Sequence, residues 1–199
     1  SEKDSFIYQF ATFHEDMHDE AFTYTRQTLG YPAPEFRVAR DQSAPTMGAH
    51  PGDAEVVGGT MTLGSRQDGV FIFDNEKWAH EVAVEPFQIA KAPVTNSEFL
   101  AFVDDGGYRD ERFWDSKGWA WRESENAECP VYWRRGEDGG CWTRAFDTDI
   151  PLPPNQPVSH VNWHEATAWC RWAGRRLPSE IEWETAASYG PEAGELLFE

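Results

Sequence analysis

Pro157-Val158-Ser159-His160-Val161-Asn162-Trp163-His164-Glu165-Ala166-Thr167-Ala168-Trp169-Cys170-Arg171-Trp172-Ala173-Gly174-Arg175-Arg176-Leu177-Pro178-Ser179-Glu180-Ile181-Glu182-Trp183-Glu184 is the densest run of local structural signals in the chain. Val158 to Val161 reads as a strand. Asn162 followed three residues later by Glu165 is spaced as a capping box and opens a helix. Ala166, Trp169, Cys170 and Ala173 form its buried stripe, and Gly174 stops it. Ser179 and Glu182 make a second box, opening a helix with Ile181, Trp183, Ala186 and Ala187. Cys170 shares its stripe with Trp169 and Ala173 and is expected to be a reduced, buried thiol.

Upstream, Thr95 and Glu98 are spaced as another capping box just after Pro93. Phe99, Leu100, Phe102 and Val103 form the buried side of that helix, and Gly106-Gly107 ends it. Before it lie short strand signals. Val56 to Gly64 reads as a strand with a glycine bend, Val70 to Phe73 as a second strand, Asp74-Asn75-Glu76 as a turn, and His80 to Ile89 as an alternating strand. Residues 108–156 carry five of the ten tryptophans with little periodicity. A hairpin of Val131–Arg134 with Cys141–Arg144 is expected across Glu137-Asp138-Gly139-Gly140, and long ordered loop elsewhere. After Tyr189-Gly190-Pro191 no closing element is evident.

The first thirty residues differ in kind. Phe6 to Leu29 reads as one helix, ended by Gly30 with Pro32 and Pro34 beyond. Phe6, Phe10, Phe13, Met17 and Tyr24 lie at the 3–4 spacing of a buried face, so Met17 is expected to pack against a bundle. On the adjacent face His14-Glu15-Asp16-Met17-His18 sets two imidazoles one turn apart, where both reach one metal ion. Glu15 and Asp19 are placed as partners behind the imidazoles. One amphipathic helix cannot bury its own stripe. It is therefore expected to be one helix of a larger bundle, with Ser1 not the native start. Residues 31–55, rich in Pro and Gly, read as a linker.

Composition narrows the functions. The 199 residues are 40 % apolar and carry a formal net charge of −18, with 17 Lys and Arg against 35 Asp and Glu. That balance argues against a nucleic-acid or anionic-membrane surface and allows a cationic substrate. Three cysteines, Cys129, Cys141 and Cys170, make no disulfide framework. No run approaches the ~20 apolar residues of a membrane span, and the cytoplasm is the expected location. Of the other histidines, His50 is expected to be solvated, His80 and His160 to be structural hydrogen-bonders, and His164 to be exposed.

The run 157–184, together with Pro93-Val94-Thr95-Asn96-Ser97-Glu98-Phe99 and Gly106-Gly107-Tyr108, resembles the formylglycine-generating-enzyme (sulfatase-modifying-factor) fold. The likeness covers about residues 56–188. It implies an α+β class: a loop-rich, C-type-lectin-like domain over residues 56–199, after a linker at 31–55 and an incomplete helical bundle at 1–30. With the histidine helix in front, and Phe73-Asp74-Asn75-Glu76, His80 and Val82, the chain is similar to the ergothioneine synthases. These are non-haem iron sulfoxide synthases with a DinB-like bundle and selenoneine synthase relatives.

That resemblance implies Fe(II) held by His14 and His18, with a third histidine upstream of Ser1 and a catalytic tyrosine beyond Glu199. It also implies O2, hercynine and a cysteine-type thiol or a selenosugar as reactants, joined at the imidazole C2. Met17 stands where many members carry Gln, and Trp78 where Pro is frequent. Three alternatives stand beside this reading. One is a formylglycine-generating oxidase, which would need a cysteine pair late in the domain. Another is a non-catalytic lectin-like binding module. The third is a zinc protease of the H-E-x-x-H kind with Glu15 as general base, although Tyr24 occupies the position of the third metzincin histidine.

Overall fold

The computed structural model describes residues 2–35, 50–67, 71–137 and 139–188, with side chains from residue 5 onward. Most of the expected linker, Val70, Asp138 in the hairpin turn and the stretch from Tyr189 onward lie outside the described residues. Helix α1 runs Glu2–Leu29. Then come strands β1 (Asp53–Val56), β2 (Gly59–Leu63), β3 (His80–Val84) and β4 (Phe87–Ala90), and helices α2 (Asn96–Asp104) and α3 (Ser116–Glu125). Strands β5 (Trp133–Arg135), β6 (Cys141–Ala145) and β7 (Thr148–Pro151) follow, and helices α4 (Trp163–Trp172) and α5 (Glu180–Ser188) complete the described order.

The sheets are small and antiparallel: β1 with β4, β2 with β3, and β5–β6–β7. The glycine bend expected inside Val56–Gly64 is the break between β1 and β2. Gly58 has φ +70, and a Cβ there would lie 2.3 Å from the carbonyl oxygen of Val84, so strand exchange at this corner requires glycine. The long alternating stretch His80–Ile89 divides in the same way into β3 and β4, at Glu85-Pro86.

All three capping boxes form. Thr95 accepts from the Glu98 N–H while the Glu98 side chain returns to the Thr95 N–H. Asn162 and Glu165 do the same at α4. Ser179 Oγ accepts from the Glu182 N–H, and the Glu182 carboxylate accepts from the Ser179 N–H and hydroxyl. Each cap is worth about 1 kcal/mol. Glu182 also takes Arg176 in a bidentate pair, and these donors pull its carboxyl down to about 2 from an ordinary 4.5. A depressed carboxyl contributes stability above its unfolded value and loses it as pH falls. The Glu182 contribution is therefore full above pH 4.5 and fades towards pH 2. Arg176 is 67 % exposed, so the amount is below about 1 kcal/mol. Urea midpoints measured from pH 5 to pH 2 should fall less steeply in Glu182→Gln than in the parent.

The core lies between α2, α4 and the β5–β6 ribbon. Phe99, Phe102, Tyr108, Trp114, Trp133, Ala168, Trp169 and Cys170 are buried together. Trp114 and Trp169 bury their rings and pair their N–H groups, Trp114 to the Gly107 carbonyl at 2.9 Å and Trp169 to the Glu98 carbonyl at 3.2 Å. Cys170 is a free, buried thiol, as its stripe required, and burial pushes its pKa up. A maleimide should label native Cys170 at least about a hundredfold more slowly than the denatured chain, because only opened molecules react.

Several expectations fail for identifiable reasons. Val158–Val161 is no strand. His160 sits at φ +58, which no strand accommodates, and pairing is limited to one isolated bridge of Pro157 with Thr95. Phe71–Phe73 is extended chain without a strand partner, followed by a short 3-10 turn at Asp74–Glu76. The region 108–156 holds more regular structure than expected. Helix α3 is capped by Asp115, whose side chain accepts from the Gly118 N–H, and closed by Asn126 in the left-handed region. Strand β7 pairs with β6 beyond the expected hairpin.

His164 is half-covered rather than exposed, its ring 6.3 Å from Trp121 and 5.4 Å from Trp163. Met17 is 48 % exposed, and Phe6, Phe10 and Phe13 are about as open. The stripe has the expected period, but no bundle covers it among the described residues. Its first half meets Phe71 and Phe73 instead.

Candidate metal centre

His14 and His18 project from α1 on one face, and their Nε2 atoms lie 2.9 Å apart. The rings are 4.6 Å apart and cross at 64°. Both residues are exposed. In this arrangement one Nε2–H donates to the other nitrogen, so the imidazoles' hydrogen bond is to each other and not to Glu15 or Asp19. The expected carboxylate partners sit about 100° round the helix from the histidine before each. Helical geometry alone produces the convergence, since residues i and i+4 stack one above the other.

The pair fits a metal ion. Two nitrogens each about 2.1 Å from one ion with about 90° between the bonds would be about 3.0 Å apart. Neutral imidazole also suits iron, zinc and copper alike. Among the described residues no third His, Cys, Asp or Glu joins them in a metal-holding group. His50 is exposed and His80 bonds the Trp78 carbonyl at 2.9 Å through Nδ1, which keeps both in local roles.

Aromatic rings flank the imidazoles. Phe10 stacks 5.8 Å from His14, and Phe22 lies 6.4 Å from His18. Phe73 approaches Phe10 at 6.3 Å and Phe13 at 5.9 Å, while Phe71 reaches Phe6 and Phe13 at 5.0 Å each. Lys77 stands over Phe6 at 5.5 Å. Through these rings the helix that carries the imidazoles rests on the Phe71–Glu76 segment of the domain.

The other end of α1 is fixed by polar contacts. Gln27 is 6 % exposed. Its amide nitrogen donates to the Arg144 carbonyl at 2.9 Å, and its amide oxygen accepts from the Phe146 N–H at 2.6 Å. A buried amide with both ends satisfied sets both the position and the rotation of the helix. Nothing in the local sequence pattern around Gln27 points to a partner 117 residues away. The same holds for Tyr108, whose hydroxyl donates to Glu165 at 2.5 Å. Burial pushes the Tyr108 phenol far above its ordinary range and raises the Glu165 carboxyl. The pair joins the Gly106-Gly107-Tyr108 turn to the cap of α4. The thiols are also held protonated: burial lifts Cys129 to about 11 and raises Cys141.

Three small antiparallel sheets, short well-capped helices and long ordered connections define a mixed α+β domain with a histidine-bearing helix docked on it. Residues 39–196 match the sulfatase-modifying factor enzyme 1-like domain, and the chain belongs to that family. It is 39 % identical to a hercynine oxygenase of Mycolicibacterium thermoresistibile over 199 aligned residues, 96 % of this chain and 42 % of the relative. To a hercynine oxygenase of Mycobacterium tuberculosis it is 38 % identical, over 96 % of this chain and 44 % of that protein. A formylglycine-generating enzyme of Streptomyces coelicolor is 36 % identical over 70 % of this chain and 48 % of its own length. The chain thus spans less than half the length of these relatives. No helix among the described residues is long and apolar enough to cross a membrane.

Proposed function

We propose that this chain is part of a non-haem iron(II), O2-dependent enzyme that acts on hercynine, the trimethylated histidine, and joins sulfur or selenium to its imidazole C2. The observation that carries the reading is the convergence of the His14 and His18 Nε2 atoms at 2.9 Å, in a chain similar along 96 % of its length to hercynine oxygenases. His14 and His18 would hold the ion, with a third imidazole supplied from outside residues 1–199. Iron held there would supply O2 activation and a binding position for the thiolate or selenolate.

This chain's own residues supply the setting. Helix α1 is fixed at both ends, by Phe71 and Phe73 and by Gln27, so the imidazole pair keeps one orientation towards the domain. A net charge of −18 suits a substrate that carries a quaternary ammonium group. The donor is a cysteine-type thiol or a selenosugar.

The test uses the full-length protein, loaded with Fe(II) under anaerobic conditions and then given O2, hercynine labelled with carbon-13 at C2, and each donor in turn. Oxygen uptake that requires hercynine, with a C2 resonance shifted by a new bond to sulfur or selenium, is the expected result. Absence of hercynine-dependent uptake with every donor would reject the reading.

A second reading is a formylglycine-generating-type oxidase, which the 36 % identity to the Streptomyces coelicolor enzyme favours. Its cysteine chemistry has little support in residues 129–170. Cys129 and Cys141 are free thiols raised by burial, and Cys170 is enclosed in the core. Conversion of a cysteine peptide in the assay above, with hercynine untouched, would select it.

A further inference from the structure

A cavity of about 140 Å³ lies where the last turn of α1 meets the β5–β6–β7 sheet. Gln27, Tyr132, Arg144 and His160 line its polar side, and Trp133 and Leu152 its apolar side. Gln27 is nine residues beyond His18, about 14 Å along the helix axis, so the cavity is distinct from the imidazole pair. Pockets for drug-sized ligands run to about 300–1,000 Å³, so this one takes a group of a few heavy atoms.

Its chemistry is set by a cation that no carboxylate among the described residues pairs with. Arg144 is half-buried. Its guanidinium donates through Nη1 to the Phe146 carbonyl at 2.6 Å and at a long 3.4 Å through Nη2 to the Thr28 carbonyl. One face covers the Tyr132 ring at 4.4 Å. These partners are neutral, and among the described residues no carboxylate pairs with it. Asp149, directly across the β6–β7 ladder, gives its carboxylate to Arg134 at 2.7 Å instead. A half-buried charge gains from a partner. Two of its five N–H donors are committed, and the rest can meet a planar, two-oxygen acceptor.

The rim is also unusual. His160 is held at φ +58 and packs edge-on to Tyr132 at 4.8 Å. Phe146, whose carbonyl Arg144 grips, is at φ +57. The φ of Phe146 belongs to the two-residue Phe146-Asp147 turn that joins β6 to β7. Burial and the charge of Arg144 keep the His160 imidazole below its ordinary range, hence neutral at pH 7 and able to hydrogen-bond a ligand.

We propose that this cavity binds a small carboxylate, with Arg144 taking its oxygens, His160 closing over it, and Trp133 and Leu152 receiving a short alkyl end. The planar fork of arginine matches a carboxylate in two parallel hydrogen bonds. An apolar wall opposite favours an anion with one hydrocarbon side over phosphate, which presents oxygens all round. Because Gln27 and Thr28 of α1 share contacts with Arg144, occupancy also fastens the helix to the sheet.

The test is a titration of the full-length protein with acetate and propionate, with sodium chloride at matched ionic strength as control. It is followed by the carbon-13 signal of His160 in histidine-labelled protein and by thermal melting. The His160 signal is assigned through His160→Asn, since Asn accepts the left-handed region. The expected result is a saturable shift of His160 and a raised melting midpoint with both carboxylates and not with chloride. Arg144→Gln should weaken binding at least about tenfold, the loss of one charged hydrogen-bonding partner. Should that variant not fold, Arg144→Lys keeps the charge, loses the fork and should still weaken binding. No saturation in the parent protein, unchanged affinity in a folded Arg144 variant, or equal binding of inorganic phosphate would overturn the proposal.

Discussion

Replacing His14 or His18 with Ala lowers the affinity of the full-length protein for Fe(II) by more than about a hundredfold, and replacing both leaves none. The size follows from the donor set. Losing a residue that only supports a ligand typically costs 10–100-fold in affinity, and these two would be ligands themselves. Anaerobic calorimetry and metal content measured after dialysis read the effect without relying on turnover. Folding should be spared. Both side chains are exposed and Ala is the best helix former, so circular dichroism should show α1 unchanged. The isolated chain of residues 1–199 should bind Fe(II) weakly, because it would supply only two of the three imidazoles proposed above. Equal affinity in this chain and in the full-length protein, or retained binding in the double variant, would remove His14 and His18 from the site.

Gly107→Ala should destabilise the domain by about 1–3 kcal/mol or more, although Ala is the smallest possible addition. Phe102 is fully buried. A Cβ on Gly107 would stand 2.0 Å from Cε2 and 2.2 Å from Cδ2 of its ring. The ring cannot retreat, with Phe99 at 5.6 Å, Tyr108 at 5.7 Å, Trp172 at 5.8 Å and Phe113 at 6.2 Å around it. Phe102→Ala should cost about 3–5 kcal/mol through the cavity it leaves. The double variant Gly107→Ala/Phe102→Leu should be more stable than the sum of its singles by about 0.5–3 kcal/mol, since trimming the ring relieves the clash. Urea denaturation of the parent, Gly107→Ala, Phe102→Leu and the double variant completes the cycle. A neutral Gly107→Ala would mean that the Gly106-Gly107 turn yields more easily than its contacts indicate.

The parts of the fold legible from the chain alone are those decided within a few residues. Thr95 with Glu98, Asn162 with Glu165 and Ser179 with Glu182 each satisfy a helix terminus from three residues away. The pattern is therefore complete before any tertiary contact forms. His14 and His18 converge for the same reason: a helix places i and i+4 together whatever lies around it. Helix α3 escaped because its cap, Asp115 on the Gly118 N–H, lacks the reciprocal Glu or Gln, and its tryptophans mask a stripe. Val158–Val161 misled because two β-branched valines close together carry a strand signal that the left-handed backbone at His160 cancels.

Other features depended on residues far apart. The chain by itself determined the α+β class, the capped helices α2, α4 and α5, the buried Cys170 and a helix with two imidazoles on one face. Only the tertiary structure decided where that helix sits, through Gln27 on the backbone of Arg144 and Phe146 and through Phe6, Phe10 and Phe13 on Phe71 and Phe73. Only it decided that Tyr108 meets Glu165 across 57 residues, that Phe102 fills the space a side chain on Gly107 would need, and that Arg144 meets no carboxylate among the described residues. The physical reason is range. Capping and helical phase are set by backbone geometry over one turn. Packing, pairing of buried polar groups and the balance of charge are set by whichever distant segments the closed chain brings into contact.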